Sequence, residues 1–190
     1  TATDDQRAER LRLMAQKGAN PIVVVGFTYA AALGKVAPEF PDTQWGIVDD
    51  SSVTAPNVHS IVFKEEEGSY LVGVAAALKS KSGNVGFIGG VNTPLIAKFE
   101  AGFIAGAKAV NAKIKVQSTY ISNFPDFSGF NDPAKGYEAA KGMYENGADV
   151  VYAAAGGTGT GMHKAGSEAG KWSIGVDADE ATYPAHADYV

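Results

Sequence analysis

Short apolar runs alternate with longer mixed segments along almost the whole chain. The runs are "PIVVVGF" (21–27), "TQWGIVDD" (43–50), "VHSIVFK" (58–64), "NVGFIGG" (84–90), "KIKVQSTYI" (113–121), "DVVYAAA" (149–155) and "SIGVD" (173–177). Each has the length and β-branched content of a strand; "PIVVVGF" reads as a short buried one. The segments in between read as helices. "TDDQRAERLRLMAQKG" has Thr3 three residues before Gln6, a capping-box spacing, and closes at Gly18. "TYAAALGKVAPEF" is helical up to Pro38, and "EEEGSYLVGVAAALKSKSG" is a helix closing at Gly83. Thr93 before Pro94, and Asp132 before Pro133, are strong helix starts. Gly147 ends the helix that Asp132 opens, and a last helix includes His163 to Ala169. Strands alternating with helices predict βαβ units and a mostly parallel sheet, an α/β protein. The polar stretch "KSKSGN" marks a joint with three strands before it and four after it, hence two α/β lobes, residues 1–82 and 83–190.

Composition narrows the function. The chain has 190 residues, enough for a sizeable core. A net charge of −5 with mixed signs argues against nucleic acid as a partner. With no cysteine, disulfides, thiolate metal sites and cysteine nucleophiles are excluded. No apolar run approaches the ~20 residues of a membrane-spanning helix.

In parallel α/β sheets ligands gather at the carboxyl ends of strands. Those ends here carry Asp49 and Asp50, Gly89–Asn92, Asn123 with Phe124, Phe127 and Phe130, Gly156–Thr158, and Asp177 with Asp179. Each alone reads more readily as a solvated loop residue; together they are better evidence for a ligand site. The glycine-rich stretch from 156 to 161 is not a phosphate loop. A dinucleotide fingerprint fails at Met162 or at Lys164, and a P-loop fails at Met162 and His163. What survives is a turn whose backbone lets a ligand come close, or a plain helix entry.

Catalytic motifs are absent: neither G-x-S-x-G nor H-E-x-x-H occurs. His59, His163 and His186 are scattered, with His163 expected on a helix surface. Asp49–Asp50 has the composition of a Mg²⁺ or phosphoacceptor pair, but an exposed strand end is the better reading. Trp45 and Trp172 read as packing. "NFPDFSGFND" (123–132) is more specific, because three phenylalanines in a loop are hard to bury and suit stacking on a flat ligand. No cofactor, metal or catalytic residue is expected.

"FKEEEGSYLVGVAAAL", "NVGFIGGVNTPLIAKFEAGFIAGAKAVN", "FNDPAKGYEAAKGMYENGADVVYAAAGGTGTG" and "IGVDAD" resemble the basic membrane protein (Bmp) family, the PnrA-like purine-nucleoside-binding lipoproteins of bacterial ABC importers. The resemblance spans nearly the whole chain. It implies a type I periplasmic-binding-protein fold whose two lobes close on a nucleoside of the inosine, guanosine or adenosine class. It also implies permease and ATPase partners, an extracytoplasmic location, and a lipid anchor outside this chain. Site residues carry over as Asp49, with Asp50 the alternative register, as Phe130 stacking on the purine, as Gly157 in the cleft, and as Asp177 gripping the ribose hydroxyls. The family's usual "GVDSDQ" is "GVDADE" here, so Ala178 and Glu180 depart from it. The family also has an earlier strand and Asn/Asp/Phe loop, and a later ligand-contacting lysine, with no counterpart in these residues. On that reading the chain is a central fragment. A different small polar solute such as a sugar, and a Rossmann-like nucleotide enzyme, are the alternatives.

Overall fold

The computed structural model describes residues 3–182 and 187–190. These fall into two compact units, residues 1–63 and 64–190.

The first unit runs α1 (Asp4–Gln16), β1 (Ile22–Val25), α2 (Ala30–Val36), β2 (Trp45–Val48) and β3 (Val58–Ile61). The capping box at α1 forms as expected: the Thr3 side chain accepts from the Gln6 amide, and the Gln6 side chain accepts from the Thr3 amide. The three strands are parallel, in the order β1-β2-β3. Ile22, Val24 and Ile47 pack with Leu11, Leu33, Val36 and Trp45 in one core. The run "PIVVVGF", expected to be buried, is buried on one face only. Val23 and Val25 are exposed, because the pleat turns alternate side chains away from the core that α1 and α2 share.

The second unit runs α3 (Glu65–Lys79), β4 (Asn84–Asn92), α4 (Pro94–Val110), β5 (Lys115–Asn123), α5 (Pro133–Glu145), β6 (Val150–Ala154), α6 (Gly159–Ala169) and β7 (Trp172–Ile174). All four strands are parallel, in the order β5-β4-β6-β7. Helices cover both faces. Ala76, Phe103 and Ala107 of α3 and α4 pack on Val85, Phe87, Val150 and Tyr152. Ala140, Met143, Met162 and Ala165 of α5 and α6 pack on Ile88, Val151 and Ala153. That double cover explains why every residue of β6 is buried, as a central parallel strand requires. The helix starts at Thr93 and Asp132 form, their side chains accepting from the amides of Ile96 and Lys135.

The joint expected at residues 79–84 falls elsewhere. α3 packs against α4 and belongs with the second unit, which begins at Lys64. The cause is backbone contact through small residues. A Cβ on Gly73 would collide with the Phe103 carbonyl, one on Gly102 with the Glu66 carbonyl, and one on Gly106 with the Tyr70 carbonyl. Among the described residues, no helix is long and apolar enough to cross a membrane.

Candidate functional site

With all strands of the second sheet parallel, their carboxyl ends share one edge. Going along β5-β4-β6-β7, that edge presents the loop after β5 with Phe130, then Gly89–Asn92, then Gly156–Thr158, then the residues from Gly175 to Glu180. The connection leaving β4 runs outward to β5, and the one leaving β6 runs the other way to β7. The edge therefore has a topological switch point between the ends of β4 and β6, the place where parallel sheets open a crevice.

Phe130 sits at that point. It ends a 3-10 turn, Phe127–Phe130, opened by Asp126, whose carboxylate accepts from the Ser128 amide at 2.9 Å. That bond and a second from the Ser128 hydroxyl hold the Asp126 carboxyl below the usual carboxylate range. The Phe130 ring lies over the Cα of Gly90, where any side chain would strike it. It is half-buried, packed on one side against the core of the unit. Phe124 and Phe127 meet edge to face at 5.8 Å, with Phe124 exposed.

Gly157 lies next to this loop. The Thr158 hydroxyl donates to the Gly129 carbonyl at 2.7 Å and accepts from the Asp132 amide at 2.8 Å. Thr158 is fully buried, so this pair of bonds laces the Phe130 loop to the glycine turn. Gly156 packs on Phe130, and a Cβ on Gly157 would lie 3.2 Å from Asn131 Oδ1. Both glycines are exposed. The structure thus brings Phe130 and Gly157 together. The sequence names Thr158 as a strand-end residue but offers no sign of its lacing role.

Asp177 stands further along the same edge, exposed, after β7. Burial raises the pKa of the Tyr152 hydroxyl, its bond with Ser69 opposes the rise, and the Asp177 carboxylate adds a smaller part to it. Asp177 has φ 68°, and Asp49 has φ 67°. They are the two non-glycine residues in the left-handed region among those described. Such a conformation costs ~1–3 kcal/mol and persists where surrounding structure enforces it, often at functional sites.

Asp49 belongs to the first unit, at the carboxyl end of β2. Its amide donates to the Ile61 carbonyl at 2.9 Å. Its neighbour Asp50 is turned to local use, one carboxylate oxygen accepting from both the amide and the hydroxyl of Ser52 at 2.7 Å.

His163 corrects the sequence reading. It is not on a helix surface but fully buried, Nδ1 lying 2.7 Å from Ser173 Oγ and Nε2 lying 2.9 Å from Glu180 Oε2. The α6 face carrying Gly159, Met162, His163 and Gly166 is turned inward as a whole. Serine, histidine and glutamate in line resemble a hydrolase relay, yet Ser173 is buried at 1% exposure and its hydroxyl points to the Tyr189 carbonyl. His59 Nε2 meets Gln44 Oε1 at 3.0 Å. His186 lies outside the described residues. Trp45 is buried core, as expected.

The chain is similar to known proteins. Residues 1–188 match the family model described as "Bmp: ABC transporter substrate-binding protein PnrA-like". A "CD4+ T-cell-stimulating antigen" of Listeria monocytogenes is 41% identical over 163 residues, covering 82% of this chain and 44% of that protein. The "ABC transporter nucleoside-binding protein BmpA" of Lactococcus lactis is 40% identical over 173 residues, 87% of this chain and 48% of that one. The chain thus spans about half the length of these relatives. Among solved structures, an ABC transporter solute-binding protein from Aeropyrum pernix K1 superposes with a TM-score of 0.83 at 29% identity, over 97% of this chain and 54% of that one. The parallel α/β units, the strand-end edge and these matches lead to one assignment: the chain belongs to the PnrA-like (Bmp) family of ABC transporter substrate-binding proteins.

Proposed function

We propose that the protein binds a purine nucleoside for an ABC importer and releases it unchanged. The observation that carries this reading is the pairing, on one sheet edge, of an aromatic ring at the switch point with a carboxylate held at φ 68° beyond β7. A flat base suits Phe130, a sugar diol suits Asp177, and exposed Gly157 leaves backbone room beside the ring. Asp49 is the contribution assigned to the first unit. The name of the Lactococcus lactis relative supports a nucleoside. In this reading the protein works outside the cytoplasm, held at the membrane by a lipid anchor beyond these residues, and hands its ligand to a permease driven by an ATPase.

Isothermal calorimetry of the purified protein with inosine, guanosine, adenosine, glucose and inorganic phosphate tests the reading. At least one nucleoside is expected to bind far more tightly than glucose or phosphate, and to be recovered intact by mass spectrometry. Glucose binding as the tightest ligand, or a nucleoside cleaved to base and ribose, overturns it. Phe130→Ala is expected to weaken inosine and free hypoxanthine alike, by ~1–3 kcal/mol for a lost base–aromatic stack. Unchanged affinity for both would remove the ring from the site.

A further inference from the structure

We infer that His163 and Glu180 are positioning residues that set the carboxylate of Asp177 for a ribose. The inference rests on the nucleoside reading above. Glu180 folds back beneath the loop that carries Asp177. A single oxygen, Oε2, meets His163 Nε2 at 2.9 Å and accepts from the Val176 amide at 3.2 Å. The same carboxylate fills the space where a side chain at Gly175 would stand. The loop is further drawn in by two short backbone bonds, Ala178 amide to Val176 carbonyl at 2.8 Å and Glu180 amide to Ala178 carbonyl at 2.9 Å. Asp177 lies inside these closures, in the left-handed region, which aspartate enters more readily than most non-glycine residues.

The other end of the clamp is buried and bonded at both ring nitrogens. His163 is fully buried on α6, its second ring nitrogen bonded to Ser173 Oγ on β7. Helix α6 starts at Gly159, directly after the glycine turn that contains Gly157. One helical turn separates Gly159 from His163, about 6 Å of rise. The imidazole therefore ties the Asp177 loop to the helix that carries the glycine turn at its start. Phe130 is laced to that same turn through Thr158. Ring, turn and carboxylate are held in one frame, and Glu180 is the only side chain in the described chain of bonds that belongs to the Asp177 loop itself.

A structural pair would support the whole unit; a positioning pair acts on the sugar half of the ligand. The geometry separates the two. Glu180→Gln keeps an amide group that can meet His163 Nε2 and an oxygen that can accept from the Val176 amide. Glu180→Asp shortens the reach by one methylene and cannot hold both. Glu180→Ala removes the clamp. The experiment measures inosine and hypoxanthine affinities for the wild type and these three variants, with backbone amide NMR shifts of residues 176–179 in the ligand-free protein. Glu180→Asp and Glu180→Ala are expected to weaken inosine about tenfold, the value of roughly one hydrogen bond, while hypoxanthine is unchanged. Glu180→Gln is expected to restore inosine to within about threefold of the wild type. The Asp177 amide shift should move in the Asp and Ala variants and return in the Gln variant. Should the Ala variant fail to fold, Glu180→Asp carries the test. Inosine binding untouched by Glu180→Asp, equal losses for inosine and hypoxanthine, or an unmoved Asp177 amide would each overturn the clamp. A wild type that prefers neither inosine nor any other nucleoside overturns the nucleoside reading instead, and the amide shifts still decide the clamp.

Discussion

Asp177→Ala is expected to weaken inosine by about 10- to 150-fold and to leave free hypoxanthine unchanged. The range corresponds to the ~1.5–3 kcal/mol of a hydrogen bond to a charged group. The base contributes nothing to this difference, because a ribose-gripping carboxylate has no partner when the ribose is absent. Backbone strain complicates the alanine result. Asp177 has φ 68°, where Ala is poorly tolerated, so Asp177→Ala removes the carboxylate and destabilises the loop at once. Asp177→Gly removes the carboxylate without strain, and Asp177→Asn keeps both an acceptor and a tolerance for the left-handed region. If the carboxylate is what grips ribose, Gly and Ala lose inosine to similar extents and Asn loses less. A full effect in Ala with none in Gly would assign the loss to the backbone. Equal losses of inosine and hypoxanthine in the Gly variant would remove Asp177 from the ribose.

The alternation of strands and helices, and hence the parallel α/β class, was legible because each signal is local. Thr3, Thr93 and Asp132 cap the helices they were expected to open, since a cap depends on residues three positions apart. The division of the chain was not local. "KSKSGN" has the composition of a linker, yet it is a turn inside the second unit, where the Asp149 carboxylate accepts from the amides of Lys81 and Ser82 and from the Ser80 hydroxyl. The true boundary depends on which helix α3 packs against, and that is decided by glycines some 30 residues apart in sequence. The strand-end rule places Phe130, Gly157 and Asp177 on one edge from the sequence alone, given parallel strands. It says nothing of what holds them. His163 meets Glu180 across 17 residues and Ser173 across 10, with no shared motif to link the three. The left-handed backbone at Asp49 and Asp177 is equally invisible, because aspartate adopts that region often enough to leave no mark in the sequence.

The same substitution, glycine to alanine, is expected to have opposite signs at Gly106 of α4 and Gly68 of α3. At Gly106 a Cβ would run into the carbonyl of Tyr70, and at Gly102 into that of Glu66. The Cα hydrogens of these glycines therefore point at carbonyl oxygens of α3, weak contacts that recur where helices approach closely. Nothing flexible is in the way: the obstacle is backbone, so a methyl group forces the helices apart along a seam that also packs Phe103 and Ala107 into the core. Overpacking of this kind costs ~1–3 kcal/mol, and Gly106→Leu should exceed Gly106→Ala. Gly68, in α3, has no atom within 4 Å of the position its Cβ would take. There alanine meets no obstacle and reduces the backbone freedom lost on folding, so Gly68→Ala should stabilise by about 0.5–1 kcal/mol. Chemical denaturation followed by circular dichroism measures both. A midpoint that falls for Gly106→Ala and rises for Gly68→Ala fits the seam. Gly106→Ala as harmless as Gly68→Ala would show that α3 and α4 are not in backbone contact, and would reopen the assignment of α3 to the second unit.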